Sequence, residues 1–140
     1  MPGRAAHEVT TRAEAEAVAA AMAEEGDLVA LRLARGCRCF AAWEGDRVIG
    51  YGWLTSGPEW IGEVALEITP GPGEAYIWNC VTLPEHRRQG VFRGLLASIC
   101  AEAGATRLWI ASLPDSAEAA LPPLGFKPVV RLRPGPPRRH

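Results

Sequence analysis

The chain has 140 residues, a formal net charge of −1 and an apolar fraction of 48%. This length and composition predict one folded domain with a single sizeable core and exclude wholesale disorder. The near-neutral charge argues against a nucleic-acid binder that relies on a basic field, and no apolar run reaches the roughly 18 residues of a membrane span.

The cysteines and histidines do not form a metal-binding pattern. Cys37 and Cys39 are separated by one residue, which is not the spacing of a zinc knuckle, and the histidines are scattered. Residues 1–8 lack the apolar segment of a signal peptide. We therefore expect no metal, and a cytoplasmic protein with reduced thiols.

Two helices are predicted near the N-terminus, after a flexible arm over residues 1–8 or a short edge strand over 8–10. Thr11 and Glu14 form a capping-box pattern for a first helix that ends near Gly26. Asp27 can cap a second helix that Gly36 closes. The first helix has a small apolar face that suits packing on a sheet, formed by Ala15, Val18, Ala19 and Met22.

A β-hairpin follows, with strands over 39–43 and 47–55. Gly50 and Gly52 lie inside the second strand, which predicts a bulge or a close neighbour at the backbone. Residues 61–68 form either an extra strand or an extension of this hairpin. The proline- and glycine-rich run after Thr69 is a loop.

The second half of the chain predicts a strand, a helix and a strand, over 75–83, 90–103 and 107–111. Asn79 and Thr82 interrupt an otherwise apolar first strand, as expected of a strand covered on both faces. At this spacing the two strands should be parallel neighbours. A short helix from Asp115, a last strand over 129–132 and a loose tail over 133–140 complete one mixed α/β domain.

The loop between that strand and helix has the character of an anion site. The first turn of a helix presents unpaired N–H groups, and Arg87, Arg88 and Arg93 add fixed charge around it. The loop lacks the Gly-Lys-Ser/Thr ending of a P-loop, and Gly90 stands alone where a dinucleotide fingerprint needs three glycines. The expected ligand is a phosphate or pyrophosphate.

These residues resemble motif A of the GNAT superfamily of acyl-CoA-dependent N-acyltransferases. Within 81–92, Pro84, Arg87 and Gly90 have the motif's Pro-x-x-Arg-x-x-Gly spacing, and the leucine pair follows at 95–96. Leu124, Gly125 and Phe126 are similar to a second signature of the family. The resemblance implies a mixed, mostly antiparallel sheet that is splayed at the CoA-binding strand and has helices on both faces.

The same resemblance implies acetyl-CoA as co-substrate and an amine acceptor that attacks the thioester directly. Backbone groups near Val81 and Leu83 would meet the pantetheine arm, the amides of residues 88–92 would bind the pyrophosphate, and a strand amide would polarise the thioester carbonyl. The implied CoA-binding residues are Val81, Thr82, Leu83, Arg87, Arg88, Gln89, Gly90, Val91, Phe92 and Arg93.

The chain departs from the family pattern at three places. Phe92 stands where a second small residue is usual and can crowd the pyrophosphate or point into the core; Leu121 replaces the usual tyrosine acid, and Ser112 or Ser116 substitutes for an asparagine. Water would then protonate the leaving thiolate. The candidate catalytic residues are Glu67, Glu74 and Asn79, with Glu63 beside them, and the alternatives are solvated glutamates and a structural amide.

The leading hypothesis is a cytoplasmic N-acetyltransferase that acts on a primary amine of a small molecule or peptide. A non-catalytic acyl-CoA-binding or sensing module of the same fold is the alternative. A structural domain that binds an anionic partner through its C-terminal arginines is a third. We expect acetyl-CoA and an amine as partners, neither nucleic acid nor membrane, and a homodimer as an option offered by the apolar strands.

Overall fold

The computed structural model describes residues 6–61, 66–87, 89–110, 122, 125 and 126, with only the backbone of 59–61 and 66–68. Five strands form one sheet in the order β1-β2-β3-β6-β7, and two more form a small separate sheet. The strands are β1 (Ala6–Glu8), β2 (Arg38–Glu44), β3 (Arg47–Thr55), β4 (Glu59–Ile61), β5 (Leu66–Ile68), β6 (Glu74–Thr82) and β7 (Arg107–Ile110). The helices are α1 (Arg12–Met22), α2 (Leu28–Ala34) and α3 (Val91–Glu102).

The N-terminal edge of the sheet begins earlier in the chain than the sequence predicts. β1 pairs antiparallel with β2 at residues 6–8, where we expected the end of an arm or a strand two residues later. Arg38 fixes this edge, because its guanidinium donates to both carboxylate oxygens of Glu8 at 2.8 and 2.9 Å. The same guanidinium donates to the carbonyls of Glu102 and Ala103 at the end of α3.

The central hairpin and the crossover form as predicted. β2 pairs with β3, β3 pairs with β6, and both pairings are antiparallel. β6 and β7 are parallel and are joined through α3, which is the arrangement that the strand–helix–strand spacing predicts. The expectation of a single extra strand over 61–68 is not met. β4 and β5 instead pair with each other as a two-stranded sheet.

Helices cover both faces of the five-stranded sheet, which confirms the expected layers. On the face covered by α1 and α2, the helix-pair face, the buried side chains include Val18, Met22, Val29, Cys39, Tyr51 and Trp53. On the face covered by α3, the α3 face, they include Phe40, Leu54, Ile77, Leu95, Leu96 and Ile99. The sheet therefore separates two apolar clusters, and the loop site lies where its central strands end.

The first helix starts as its sequence predicts, and the second does not. The Thr11 hydroxyl accepts from the Glu14 amide at 3.1 Å, while the Glu14 carboxylate accepts from the Thr11 amide at 3.0 Å. This reciprocal pair is the predicted capping box. Asp27 precedes α2 in an αR conformation with no side-chain capping bond, so the expected cap is absent.

Several predicted features lie outside the part of the chain that the structure describes. These are the helix from Asp115, the strand over 129–132, the tail over 133–140, and the side chains of Glu63, Arg88, Leu121 and Leu124. In the described part, no helix has the length and apolar character needed to cross a membrane.

Candidate functional site: the β6–α3 loop and the β6 bulge

The loop from β6 to α3 is built by a short turn and one glycine. Leu83 donates its amide to the Ile49 carbonyl of β3 at 2.9 Å, and a 3-10 turn over Pro84–His86 then redirects the chain. Gly90 adopts φ 77, the left-handed region that glycine enters without strain, and α3 starts at the next residue. A Cβ at Gly90 would meet nothing within 4 Å, so this position is constrained by its backbone conformation and has free space beside it.

The N-terminus of α3 is a ready donor surface. Gly90 makes no side-chain capping bond, and the first turn of α3 contains no acidic residue. The amides of that turn therefore face outward with the positive end of the helix dipole behind them. Arg87 and Arg93 are both exposed beside the turn, and Arg87 Nε donates to the Thr82 carbonyl at 3.3 Å. The site can hold an anion by main-chain donors and two nearby charges.

Two apolar side chains anchor this turn to the sheet. Val91 is 5% exposed and packs with Ala42 and Ile49. Gly50 makes room for it, since a Cβ at Gly50 would lie 2.9 Å from Val91 Cγ1. Phe92 packs against the apolar cluster of the α3 face, which is the second of its two predicted orientations. The amides at the helix start are thus held in place by buried contacts on the opposite side.

The C-terminal half of β6 has one sheet neighbour in the described chain. The last described pair between β6 and β7 is Ile77 with Ile110, whereas the pairing with β3 continues to Thr82. Leu83 has both backbone groups engaged, because its amide donates to Ile49 and its carbonyl accepts from His86 at 2.9 Å. In an antiparallel ladder alternate residues point to opposite edges, so Val81 also points toward β3 and Thr82 points away from it.

This alternation revises which backbone groups face the β7 side. The family resemblance implies that backbone groups near Val81 and Leu83 meet the pantetheine arm. The pairing directions instead turn the backbone groups of Thr82 to the side away from β3. The Thr82 hydroxyl oxygen is also buried without a hydrogen-bond partner in the described part of the chain. The Thr82 amide therefore faces away from β3 beside the loop, and the Thr82 carbonyl accepts from Arg87 Nε.

A bulge in β6 lies just before these residues. Tyr51 pairs with Val81 and Trp53 with Trp78, so Asn79 and Cys80 together oppose the single residue Gly52. Asn79 has φ 49, a left-handed conformation that asparagine tolerates better than most residues. The expected bulge or close neighbour at the glycines of β3 is confirmed in both forms.

The extra residue changes which face the strand presents. Trp78 and Val81 both pack with the helix-pair face, and Ile77 and Cys80 both pack with the α3 face. In a regular strand, residues three apart would point to opposite faces. The bulge therefore reverses the alternation of side chains for the last part of β6, next to the loop.

A buried arginine supports the bulge from α2. Arg32 is 9% exposed, and its Nη1 donates to Asn79 Oδ1 at 2.7 Å. Its guanidinium carbon lies 4.4 Å from the Trp78 ring centroid and 5.0 Å from that of Trp53. Arg32 is not among the residues predicted from the sequence. It lies three residues after the buried Val29 and so on the same helix face, and this spacing was the available signal.

Two of the candidate catalytic residues, Glu74 and Asn79, lie far apart on β6, and the side chain of the third, Glu67, lies outside the described residues. Glu74 begins β6, roughly 16 Å along the strand from Asn79. Its carboxylate accepts from the Gly71 amide at 3.0 Å and from Trp109 Nε1 at 3.2 Å, and these bonds, with Arg107 nearby, lower the pKa of Glu74. Glu67 lies in β5, opposite Trp60, and Asn79 alone borders the loop end of the strand.

The thiols near the sheet are unsuited to nucleophilic catalysis. Burial raises the pKa of Cys80 to about 12 and that of Cys39 to about 12. A thiolate, not a thiol, is the attacking species, so both groups are inert near neutral pH. Across the described residues, no cluster of three or more histidine, cysteine or carboxylate side chains could hold a metal ion.

Comparison with known proteins identifies the architecture. The model of the acetyltransferase (GNAT) family matches residues 6–122. No curated protein sequence matches the chain significantly. Among solved structures, the chain is similar to the aminoglycoside N-acetyltransferase AAC(6')-Iy in complex with CoA, with a TM-score of 0.63 and 16% identity over 96% of this chain and 100% of that one.

Two further structures show the same fold. A probable acetyltransferase has a TM-score of 0.67 and 17% identity, over 97% of this chain and 99% of that chain. An acetyltransferase of Trypanosoma brucei has a TM-score of 0.60 and 16% identity, over 91% of this chain and 96% of that chain. At these identities the three structures establish the fold, and the family model covers most of the chain.

Proposed function

Because the chain belongs to the acetyltransferase (GNAT) family, whose members transfer acetyl groups from acetyl-CoA to amines, we propose that it acetylates a primary amine of a small molecule or peptide. The amine nitrogen attacks the thioester carbonyl directly, an N–C bond forms, the C–S bond breaks and the CoA thiolate leaves. The proposed route forms no acyl-enzyme on Cys80, because burial raises the pKa of that thiol to about 12.

The observation that carries this proposal is the uncapped start of α3. Gly90 at φ 77 opens a helix whose first turn has neither a side-chain cap nor an acidic residue. Such a turn binds pyrophosphate through main-chain amides, here those of Gln89, Gly90, Val91 and Phe92. The exposed side chains of Arg87 and Arg93 add positive charge at the same place.

The strand edge beside the loop supports a site for the pantetheine arm. The arm would run along the side of β6 that faces away from β3, with Thr82 as the residue whose backbone groups point there. An extended chain that adds to a free strand edge gains main-chain hydrogen bonds. Val81, which points toward β3, and Leu83, whose amide donates to Ile49 of β3, would hold this edge in place.

Polarisation of the thioester is proposed for the strand amides after the bulge. A preorganised N–H donor aimed at the carbonyl oxygen would stabilise the negative charge that develops there as the amine attacks. Glu67 remains the candidate base for the amine proton, directly or through water, and water protonates the departing thiolate. Glu74 is the weaker candidate, because its carboxylate is already bound by Gly71 and Trp109.

Calorimetry with CoA followed by a thiol-release assay tests the function. We expect CoA to bind with one site per chain, and acetyl-CoA with an amine panel to release thiol above the hydrolysis rate. The panel should contain monoamines, polyamines, amino acids and peptides with a free N-terminus. No heat of CoA binding would refute the proposal, and binding without any amine-dependent thiol release would leave the acyl-CoA-sensing alternative in its place.

The oligomeric state of the proposed enzyme stays a prediction. A homodimer through the apolar strands would give a doubled mass in light scattering, and a monomeric mass at assay concentration would exclude it. The assay should therefore be run at two protein concentrations that differ tenfold. A specific activity that rises with concentration would indicate that the dimer is the active form.

A further inference from the structure

We propose that Arg32 is a positioning residue for acetyl transfer, acting through Asn79 to fix the β6 bulge and the amides that follow it. The inference rests on the proposed use of those amides toward the thioester. Arg32 Nη1 donates to Asn79 Oδ1 at 2.7 Å, across 47 residues of sequence. This is a link between α2 and the strand that borders the loop site.

The bulge needs such a support because its backbone is uncommon. Asn79 holds φ 49 in the interior of a nine-residue strand. A non-glycine residue in this region is disfavoured unless its surroundings hold it there. The hydrogen bond from Arg32 fixes the direction of the Asn79 side chain, and through it the backbone at the bulge.

Burial beside two tryptophan rings holds the guanidinium in a fixed position next to the bulge. Arg32 is 9% exposed, and its guanidinium lies near the rings of Trp53 and Trp78. These two tryptophans are cross-strand partners at the last regular pair before the bulge. Burying a charged group in this way is costly, and an apolar side chain of the same size would often serve stability as well.

The proposed polarisation of the thioester uses a strand amide beyond the bulge, on the side of β6 that faces away from β3. Asn79 and Cys80 together oppose Gly52, so the extra residue sets which way the amides of Cys80, Val81 and Thr82 point. A shift of about 1 Å at a donor can lower a rate about a hundredfold. Loss of the Arg32 bond should therefore lower kcat more than it lowers the affinity for CoA, whose pyrophosphate is held at the start of α3.

The test compares Arg32→Met, Arg32→Lys and a control on the same helix. Arg32→Met keeps the volume and removes the donor, while Lys retains a donor and a charge that can lie over the tryptophan rings. Arg35→Met is the control, since Arg35 also lies over Trp78, at 5.8 Å from the ring centroid. Rates are expressed per CoA-binding site counted by calorimetry, so misfolded protein does not enter them.

We expect kcat of Arg32→Met to fall about thirtyfold with KM for acetyl-CoA changed less than about twofold. Arg32→Lys should recover most of that loss, and Arg35→Met should match the wild type. Asn79→Gly keeps the left-handed conformation and removes the acceptor, so it should lower kcat similarly. The double variant should be no slower than either single variant, because both substitutions remove the same Arg32–Asn79 hydrogen bond.

Two readouts without turnover separate this inference from the proposed function. Acetonyl-CoA, a ketone analogue of acetyl-CoA, should lose affinity for Arg32→Met while CoA does not. In the free protein, the amides of Val81 and Leu83, which point toward β3, should exchange hydrogen about tenfold faster in Arg32→Met than in Arg35→Met. Both readouts apply even to a protein that binds CoA and acetylates no amine, an outcome that would refute the proposed function alone.

A kcat per CoA-binding site of Arg32→Met equal to that of the wild type would overturn the positioning role. Additive losses in the Arg32 and Asn79 cycle would also overturn it, because they would show that the two residues act independently. So would unchanged exchange of the Val81 and Leu83 amides together with unchanged acetonyl-CoA affinity. If Arg32→Met lowered the thermal stability and changed none of the other readouts, Arg32 would contribute to folding and not to acetyl transfer.

Discussion

Gly52 and Cys80 face each other across the β3–β6 pair so closely that a Cβ on Gly52 would lie 2.7 Å from Cys80 Sγ. The same Cβ would lie 3.4 Å from Ile99 Cδ1 and from Leu95 Cδ2, both on α3. We expect Gly52→Ala to lower the free energy of unfolding by about 1–3 kcal/mol through overpacking. Urea denaturation measures the change, with the slope m unaltered if the fold persists.

A size exchange provides the control for this first prediction. Cys80→Ala empties the space that the new methyl group needs, so the double variant with Gly52→Ala should be more stable than the sum of the single changes predicts. A favourable coupling of about 1 kcal/mol is the expected result. Strict additivity would show that the short contact with Cys80 Sγ is not what demands glycine at position 52.

CoA binding is predicted to tolerate an uncharged side chain in place of Gly90 far better than a charged one. Its left-handed φ of 77 suits Asn and Asp alike, and no atom lies within 4 Å of a Cβ there. Gly90→Asp and Gly90→Asn should therefore lose similar stability, about 1 kcal/mol or less. Only Asp places a negative charge beside the amides that would bind pyrophosphate.

Calorimetry with CoA should show this difference directly. We expect Gly90→Asp to weaken CoA binding at least thirtyfold, and Gly90→Asn by about threefold, since only the former adds charge repulsion. The difference in CoA affinity between the two variants should shrink as the salt concentration is raised. Equal affinities in two folded variants would mean that the pyrophosphate is not bound at the start of α3.

The Glu8–Arg38 pair should make the edge of the sheet sensitive to acid. The hydrogen bonds from Arg38 hold the pKa of Glu8 below its ordinary value of 4.5. A carboxyl with a lower pKa in the folded state adds stability that is fully present above its unfolded pKa. That contribution is lost as pH falls below about 4.5 and through the lower folded pKa.

Thermal unfolding of Glu8→Gln between pH 7 and pH 3 measures this contribution. We expect a loss of about 1 kcal/mol at pH 7 that shrinks toward pH 3, where the wild-type carboxyl also becomes neutral. Glu16→Gln is the matched control, because its pair with Arg12 is 71% and 94% exposed and should contribute little. A pH-independent difference for Glu8→Gln would exclude the linkage.

The buried thiols should be silent toward alkylating reagents in the native state. With pKa values of about 12, Cys39 and Cys80 hold a thiolate fraction of only about one part in ten thousand at pH 8. Mass spectrometry after iodoacetamide treatment should find both unmodified in folded protein and all four cysteines modified in urea. Rapid native labelling of Cys80 would contradict its burial.

Cys80→Ala should also retain acetyl transfer, apart from an effect on stability. A direct attack of the amine needs no sulfur from the protein. Thiol release per CoA-binding site should stay within about threefold of the wild type. A loss of several orders of magnitude in a folded Cys80→Ala variant would require a covalent route and would overturn the direct mechanism.

Sequence reasoning located the elements whose signals are local. The capping box at Thr11, the hairpin glycines and the strand–loop–helix around Gly90 each depend on residues close in the chain, and each is present. The polar Asn79 within the otherwise apolar β6 is visible in the sequence. Its meaning needed the structure, because the register shift depends on where β3 lies.

The features that escaped prediction are those that join distant segments. Arg32 and Asn79 are 47 residues apart, and nothing in either neighbourhood marks them as partners. Glu74 has the residue type of a base, but its carboxylate accepts hydrogen bonds from Gly71 and Trp109 at the far end of β6, which is a structural role. Contacts of this kind follow from the fold and have no local pattern.

The donors at the start of α3 belong to the main chain, and this has a consequence for how such proteins diverge. Every residue except proline carries the same N–H group, so substitutions at 89, 91 or 92 leave the donors in place as long as the turn is kept. Gly90 is held to a narrow choice by its left-handed backbone, and Val91 by its buried contacts with Ala42 and Ile49. An anion site built from main-chain donors can therefore persist while most of the side chains around it change. Its relationship to other proteins is then easier to detect in backbone geometry than in sequence.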